Sequence, residues 1–154
     1  MQVQWSCRAC EESDPGQRSG RAWFCTDCQS ARGLYRTTRS NLASGFNRTL
    51  KGSPELAIDI DAFCVWRKAQ EQRCHYCRIS EADLTRVRMK SQVQKDVRIM
   101  GVDRVDDTLG YVAENLVPCC FVCNQVKGDR FSEAEMLLVG RGIALAWEQR
   151  LAAP

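Results

Sequence analysis

Residues 98–129 read RIMGVDRVDDTLGYVAENLVPCCFVCNQVKGD, and this stretch decides the fold. RIMGVDRVDD has the character of a short strand ending at Val102 and Asp103. Gly110 marks a turn, Ala113 to Val117 forms a second extended piece, and CNQVKGD opens a helix. Strand, turn, strand, helix is a ββα unit. One cysteine pair precedes it and another stands at the start of its helix, so the unit is clamped at both ends.

A chain of 154 residues with 44% hydrophobic content can bury one modest core, with no room for a large catalytic domain beside a separate recognition domain. The cysteines supply further cohesion. Eight of the ten form four Cys-x-x-Cys pairs, leaving Cys64 and Cys119 over. Thiolates two residues apart converge on one tetrahedral ion, and two such pairs close a zinc site. Proximity in sequence groups Cys7, Cys10, Cys25 and Cys28 on one zinc, and Cys74, Cys77, Cys120 and Cys123 on the other. Disulfides are the competing use. MQVQWSCRAC lacks the continuous apolar core of a signal peptide, so a cytoplasmic, reducing location is the expectation and disulfides are disfavoured. No run is long and apolar enough to span a membrane.

Outward from the ββα unit, four segments follow from composition. Residues 1–51 form an N-terminal zinc module and basic segment, 52–73 a connecting helix, 74–131 the ββα core with the second zinc site, and 132–154 a C-terminal helix. TDCQSARGLYRTTRSNL carries Arg32, Arg36 and Arg39 at helical intervals, a candidate DNA-reading helix that includes Tyr35. Gly52-Ser53-Pro54 reads as a break before an amphipathic helix that starts near Ile60 and holds Cys64 as a small buried apolar residue. Ser132 and Glu135 make a capping-box pattern, and Met136, Val139, Ile143 and Trp147 form one stripe of the helix behind it, suited to core packing.

Net charge is only +3, but it is unevenly spread. Between Cys28 and Pro54 there is no acidic residue, while Arg32, Arg36, Arg39, Arg48 and Lys51 are basic. A second cluster, Arg86, Arg88, Lys90, Lys95 and Arg98, is opposed only by Asp96. Each alone suits a solvated face; two of them flanking zinc sites point to a phosphate backbone as partner.

A one-metal nuclease needs an ion to stabilise charge on the phosphorane, a base to activate water and a nearby cation. Asp103 and Asn124 are suited to be the oxygen ligands of a Mg²⁺, which takes one or two protein ligands and keeps several waters. Asn115 fits a structural residue that bonds the backbone of the loop between strands, and Lys127 and Arg130 could hold phosphates at the helix.

On these residues, CHYCRISEADL through FSEAEMLLVGRGIALAW resembles the HNH, or ββα-metal, nuclease family, and within it the rare-cutting type II restriction endonucleases. The resemblance runs through the GVDR stretch, Gly110-Tyr111, Cys120 to Asn124 and Phe131 to Met136, and extends to the N-terminal cysteine pairs. It implies a small α+β fold with flanking helices, and a homodimer cutting both strands of a palindromic DNA duplex. Each subunit would hold two structural Zn²⁺ and one catalytic Mg²⁺ or Mn²⁺. Asp103 and Asn124 would hold the catalytic metal, with Arg104 contacting the scissile phosphate or leaving group where the family usually has a histidine base. A guanidinium cannot be that base. The resemblance implies a tyrosine-type base instead, for which Tyr76, Tyr111 and Tyr35 are the candidates, with His75, the single histidine, as a fourth alternative that also suits an exposed knuckle residue. The segment between Cys28 and Phe63 is longer and richer in arginine than in the relative it resembles, which suits a more G·C-containing target. Two other uses compete: a monomeric homing or phage-type HNH nickase, and an inactive zinc-dependent DNA-binding protein.

Overall fold

The structure, a computed structural model, describes residues 5–20, 23–43 and 56–153. It is a small α+β chain whose contacts divide it into two units, Met1–Gln70 with Gly110–Ala113, and Glu71–Leu109 with Glu114–Pro154. The expected contacts of Arg48 and Lys51 lie outside the described residues.

In the first unit, helix α1 (Thr26–Ala43) leaves the second cysteine pair and packs on α2 (Ile60–Ala69). Asp59 caps α2, its carboxylate accepting from the backbone N–H of Asp61 and Ala62, both at 2.9 Å. Phe63 and Cys64 are buried from α2, and Tyr35 sets its ring edge-on to Phe63 at 5.6 Å. Cys64 is a core residue: it is fully buried, and burial pushes its thiol up to about 11.

The second unit holds a two-stranded antiparallel sheet, β1 (Gly101–Arg104) and β2 (Leu116–Cys119), with Asp103 opposite Val117. Helix α3 (Phe121–Lys127) follows at once, and α4 (Glu133–Ala152) closes the chain. Two boundaries differ from expectation. Residues 113–115 form a 3-10 turn rather than strand, and α3 begins three residues before Asn124 because the Cys120 sulfur accepts from the Cys123 N–H as an N-cap. The capping box at Ser132 and Glu135 forms in both directions. Met136 and Trp147 are buried, with Val139 and Ile143 packed beside the core built on Leu84, Val87, Met89 and Met100.

Gly140 is the point of closest approach of α4 to the rest of this unit. A Cβ there would lie 2.5 Å from the Tyr76 carbonyl oxygen, whereas one at Gly142 would meet open space. Gly140→Ala is therefore expected to destabilise the protein by about 1–3 kcal/mol through overpacking, and Gly142→Ala to stabilise it by roughly 0.5–1 kcal/mol through helix propensity. Urea denaturation of the two variants checks this; equal effects would mean that α4 does not seat against Tyr76.

Candidate metal centre

Each half of the cysteine set converges. The sulfurs of Cys7, Cys10, Cys25 and Cys28 lie within 4.8 Å of one another, as do those of Cys74, Cys77, Cys120 and Cys123. Cys10 to Cys25 and Cys77 to Cys120 are each 3.7 Å. Four ligands about 2.3 Å from a tetrahedral zinc stand roughly 3.8 Å apart, so both groups could hold zinc. The residue after the first pair of each group adopts a left-handed conformation, Glu11 at φ 60° and Arg78 at φ 61°, giving the two knuckles one local geometry. Beside the first group, the Lys68 ammonium reaches Cys10 Sγ at 3.5 Å and Glu12 Oε2 at 2.9 Å, offsetting thiolate charge.

The second group lies next to Asp103. That carboxylate is only 9% exposed at the centre of the unit, and its Oδ2 accepts from the Tyr76 hydroxyl at 2.7 Å and faces the Lys127 ammonium at 3.2 Å. Both contacts fall on Oδ2, so Oδ1 keeps lone pairs that a hard cation can use. Burial, together with the neighbouring Asp103 carboxylate, pushes the Tyr76 hydroxyl far above the usual tyrosine range, so Tyr76 acts here as a donor. Lys127 also donates to the Arg104 carbonyl at 2.9 Å, which joins α3 to β1. Asn124 is one turn earlier on α3, three residues before the buried Lys127.

Behind Tyr76, the His75 ring packs edge-on at 5.0 Å and its Nε2 bonds Glu133 Oε1 at 2.7 Å. Glu133 lines a cleft of about 480 Å³ together with Asp106, Lys127, Asp129, Arg130 and Phe131. Asn115 clasps the loop leaving β1: its amide donates to the Asp106 carbonyl and its Oδ1 accepts from the Asp106 N–H, both at 2.9 Å. Arg104 donates to the carbonyls of Asp107 and Leu109 at 2.9 Å each, bracing the same loop.

No family model and no curated protein matches the chain. Among solved structures, a "rare-cutting HNH restriction endonuclease PacI" matches over 96% of this chain and 99% of its own, at a TM-score of 0.65 and 26% identity. The chain is related to PacI. The relationship supports a nuclease of HNH type, with the two cysteine groups as its metal-binding framework.

Against that fold, several expectations need correction. Lys127 does not stand at the surface to hold phosphates; it is 2% exposed and engaged with Asp103. Arg32 does not share an exposed face with Arg36 and Arg39. Its guanidinium pairs with Asp61 at 2.6 Å and lies 4.0 Å over the Phe24 ring, whereas Arg36 and Arg39 are exposed. Tyr35 is a packing residue whose hydroxyl donates to the Ile58 carbonyl at 3.0 Å. Tyr111 belongs to the first unit, where its carbonyl accepts from Ile58 N–H. Arg130 is exposed at the cleft. Among the described residues no helix is long and apolar enough to cross a membrane.

Glu133 was not recognised from sequence, since nothing in a capping pattern reveals a partner 58 residues away. Purified protein is expected to carry two zinc ions per chain by elemental analysis, one from each cysteine group. Cys120→Ser should lose one ion and the cooperative unfolding of the second unit, while Cys64→Ser keeps both ions. Full zinc content in Cys120→Ser would refute the assignment.

Proposed function

We propose that the chain is a sequence-specific endonuclease that cuts both strands of a palindromic DNA site as a homodimer, a type II restriction activity with one divalent metal per active site. The reading is carried by one observation: a buried carboxylate, Asp103, facing Lys127 of α3, in a chain similar to PacI along nearly its whole length; Asn124, one turn earlier on α3, is the proposed second ligand. The donor set suits a hard cation, one carboxylate oxygen and one amide oxygen. Mg²⁺ or Mn²⁺ held there supplies Lewis acidity at the scissile phosphate and the leaving oxygen.

The protein's own residues do the remaining work. Arg104 stays protonated at neutral pH and stabilises phosphate charge rather than taking a proton. Tyr76 fixes Asp103 by its hydrogen bond. For the base, the geometry favours His75, which has the hydrogen-bonded carboxylate of a base-and-orienter pair in Glu133 at 2.7 Å, over Tyr76, whose hydroxyl is engaged as a donor. Exposed Arg36 and Arg39 on α1, Arg130 at the cleft, and the exposed cluster of Arg86, Arg88, Lys90, Lys95 and Arg98 supply contacts to the DNA backbone and bases. Two structural zinc ions hold the scaffold together.

The test is incubation of zinc-loaded protein with plasmid and phage DNA in Mg²⁺, with sequencing of the ends. Discrete linear fragments are expected, and Asp103→Ala should cut at least about a hundredfold more slowly, the scale of removing one key stabilising group. His75→Ala should lose activity with its zinc retained, while Tyr76→Phe keeps most of it. Nicked product alone would point to the monomeric nickase, and bound but intact DNA to the inactive DNA-binding protein.

A further inference from the structure

Lys127 is a long cationic side chain on a seven-residue helix, where such a residue ordinarily extends its charged head into water. Here the whole side chain is buried. Its ammonium sits 3.2 Å from Asp103 Oδ2 and 2.9 Å from the Arg104 carbonyl oxygen. Burying an ion pair costs desolvation on both sides, and apolar residues of similar volume often serve a fold as well or better. The carboxylate in this pair is the proposed ligand of the catalytic metal.

We infer that Lys127 keeps divalent-metal affinity low in the DNA-free protein, so that the ion is retained only together with a substrate phosphate. The inference rests on the metal-site reading above. The proposed ligand set carries one negative charge, from Asp103, and the Lys127 ammonium cancels it. That ammonium, 3.2 Å from Oδ2, also repels a second cation on the same carboxylate. Four other acids line the cleft: Asp106 is engaged with the N–H and hydroxyl of Thr108 at 2.8 and 2.6 Å, Glu133 with His75, and Asp107 and Asp129 are exposed to water, which screens their charge. An arriving phosphate brings the missing negative charge and oxygen ligands, the usual way in which Mg²⁺ is completed by substrate. Metal and DNA then bind cooperatively, and little bare metal is held between encounters.

A purely structural Lys127, serving only to join α3 to β1, makes the opposite prediction, because its loss would loosen the ligands. The experiment is titration of zinc-loaded, DNA-free full chain with Mn²⁺, followed by electron paramagnetic resonance, for wild type, Lys127→Met and Asp103→Asn. Lys127→Met should bind Mn²⁺ more tightly by on the order of tenfold or more, and Asp103→Asn should lose the site. Unchanged or weaker binding in Lys127→Met, with both zinc ions present, overturns the inference while the metal site stands. Identical binding by wild type and Asp103→Asn overturns the metal site and the inference with it. Should Lys127→Met fail to retain zinc, ¹⁵N-lysine spectra of the wild type decide. The slowly exchanging Lys127 Nζ signal should shift as Ca²⁺ fills the Asp103 site, and a signal that stays fixed at saturation overturns the inference.

Discussion

The sulfur cluster of Cys74, Cys77, Cys120 and Cys123 is the constraint on which the second unit depends. It ties the knuckle that precedes the ββα segment to the start of that segment's helix, and a metal bound there would meet the entropy of closing the long loop between them. Because Cys120 is also the N-cap of α3, the same sulfurs fix where the helix starts and therefore which residues face β1. On the other side, the knuckle is tied to β2 by the His75 N–H bonding the Pro118 carbonyl at 2.8 Å. Tyr76 thus arrives at Asp103 from the knuckle and Lys127 from the helix, each positioned by backbone held at the cluster. Groups held in this way are pre-organised, which a site for phosphoryl chemistry needs.

Two of the ion pairs among the described residues, Arg32–Asp61 and Lys127–Asp103, are of different kinds. Arg32 and Asp61 link α1 to α2 with the Asp61 side chain 59% exposed, and a pair of that sort contributes roughly 0–1 kcal/mol. Asp103 and Lys127 are both buried, and such a pair stands because further hydrogen bonds support it: Tyr76 donates to the carboxylate and the Arg104 carbonyl accepts from the ammonium. The first pair tolerates loss. The second makes the end of β1 the least replaceable polar point in the unit.

Much of this organisation was legible in the sequence, for definable reasons. Four Cys-x-x-Cys pairs specify their own grouping because a short turn leaves their sulfurs no other direction, and the Ser132 and Glu135 capping box announces α4. The presence of β1, though not its last residue, and the buried stripe at Met136 and Trp147 followed from pattern alone. What escaped were residues whose meaning is tertiary. Lys127 reads as a surface lysine because charge at the end of a short helix usually is one. Arg32 shares its spacing with Arg36 and Arg39, and only the packing of α2 turns it inward toward Asp61. The strand expected to begin at Ala113 yields to a 3-10 turn because Asn115 must present both ends of its amide to Asp106.

These arrangements bear on why an arginine can follow Asp103, the proposed metal ligand. At the end of β1 the side chain of residue 104 braces its own loop through two carbonyls, and its backbone carbonyl receives Lys127. A histidine in its place could donate to at most one of those carbonyls while keeping a lone pair for proton transfer. With arginine the loop is held by a permanent cation, and in the proposed mechanism that cation is also the electrostatic group while proton transfer is left to a residue on another element. In the proposed mechanism that residue is His75, delivered by the zinc knuckle and oriented by Glu133. On that proposal the charge that stabilises the phosphate and the group that moves the proton are separate, so each is tuned by its own surroundings: Arg104 by the loop carbonyls it holds, His75 by Glu133 on α4.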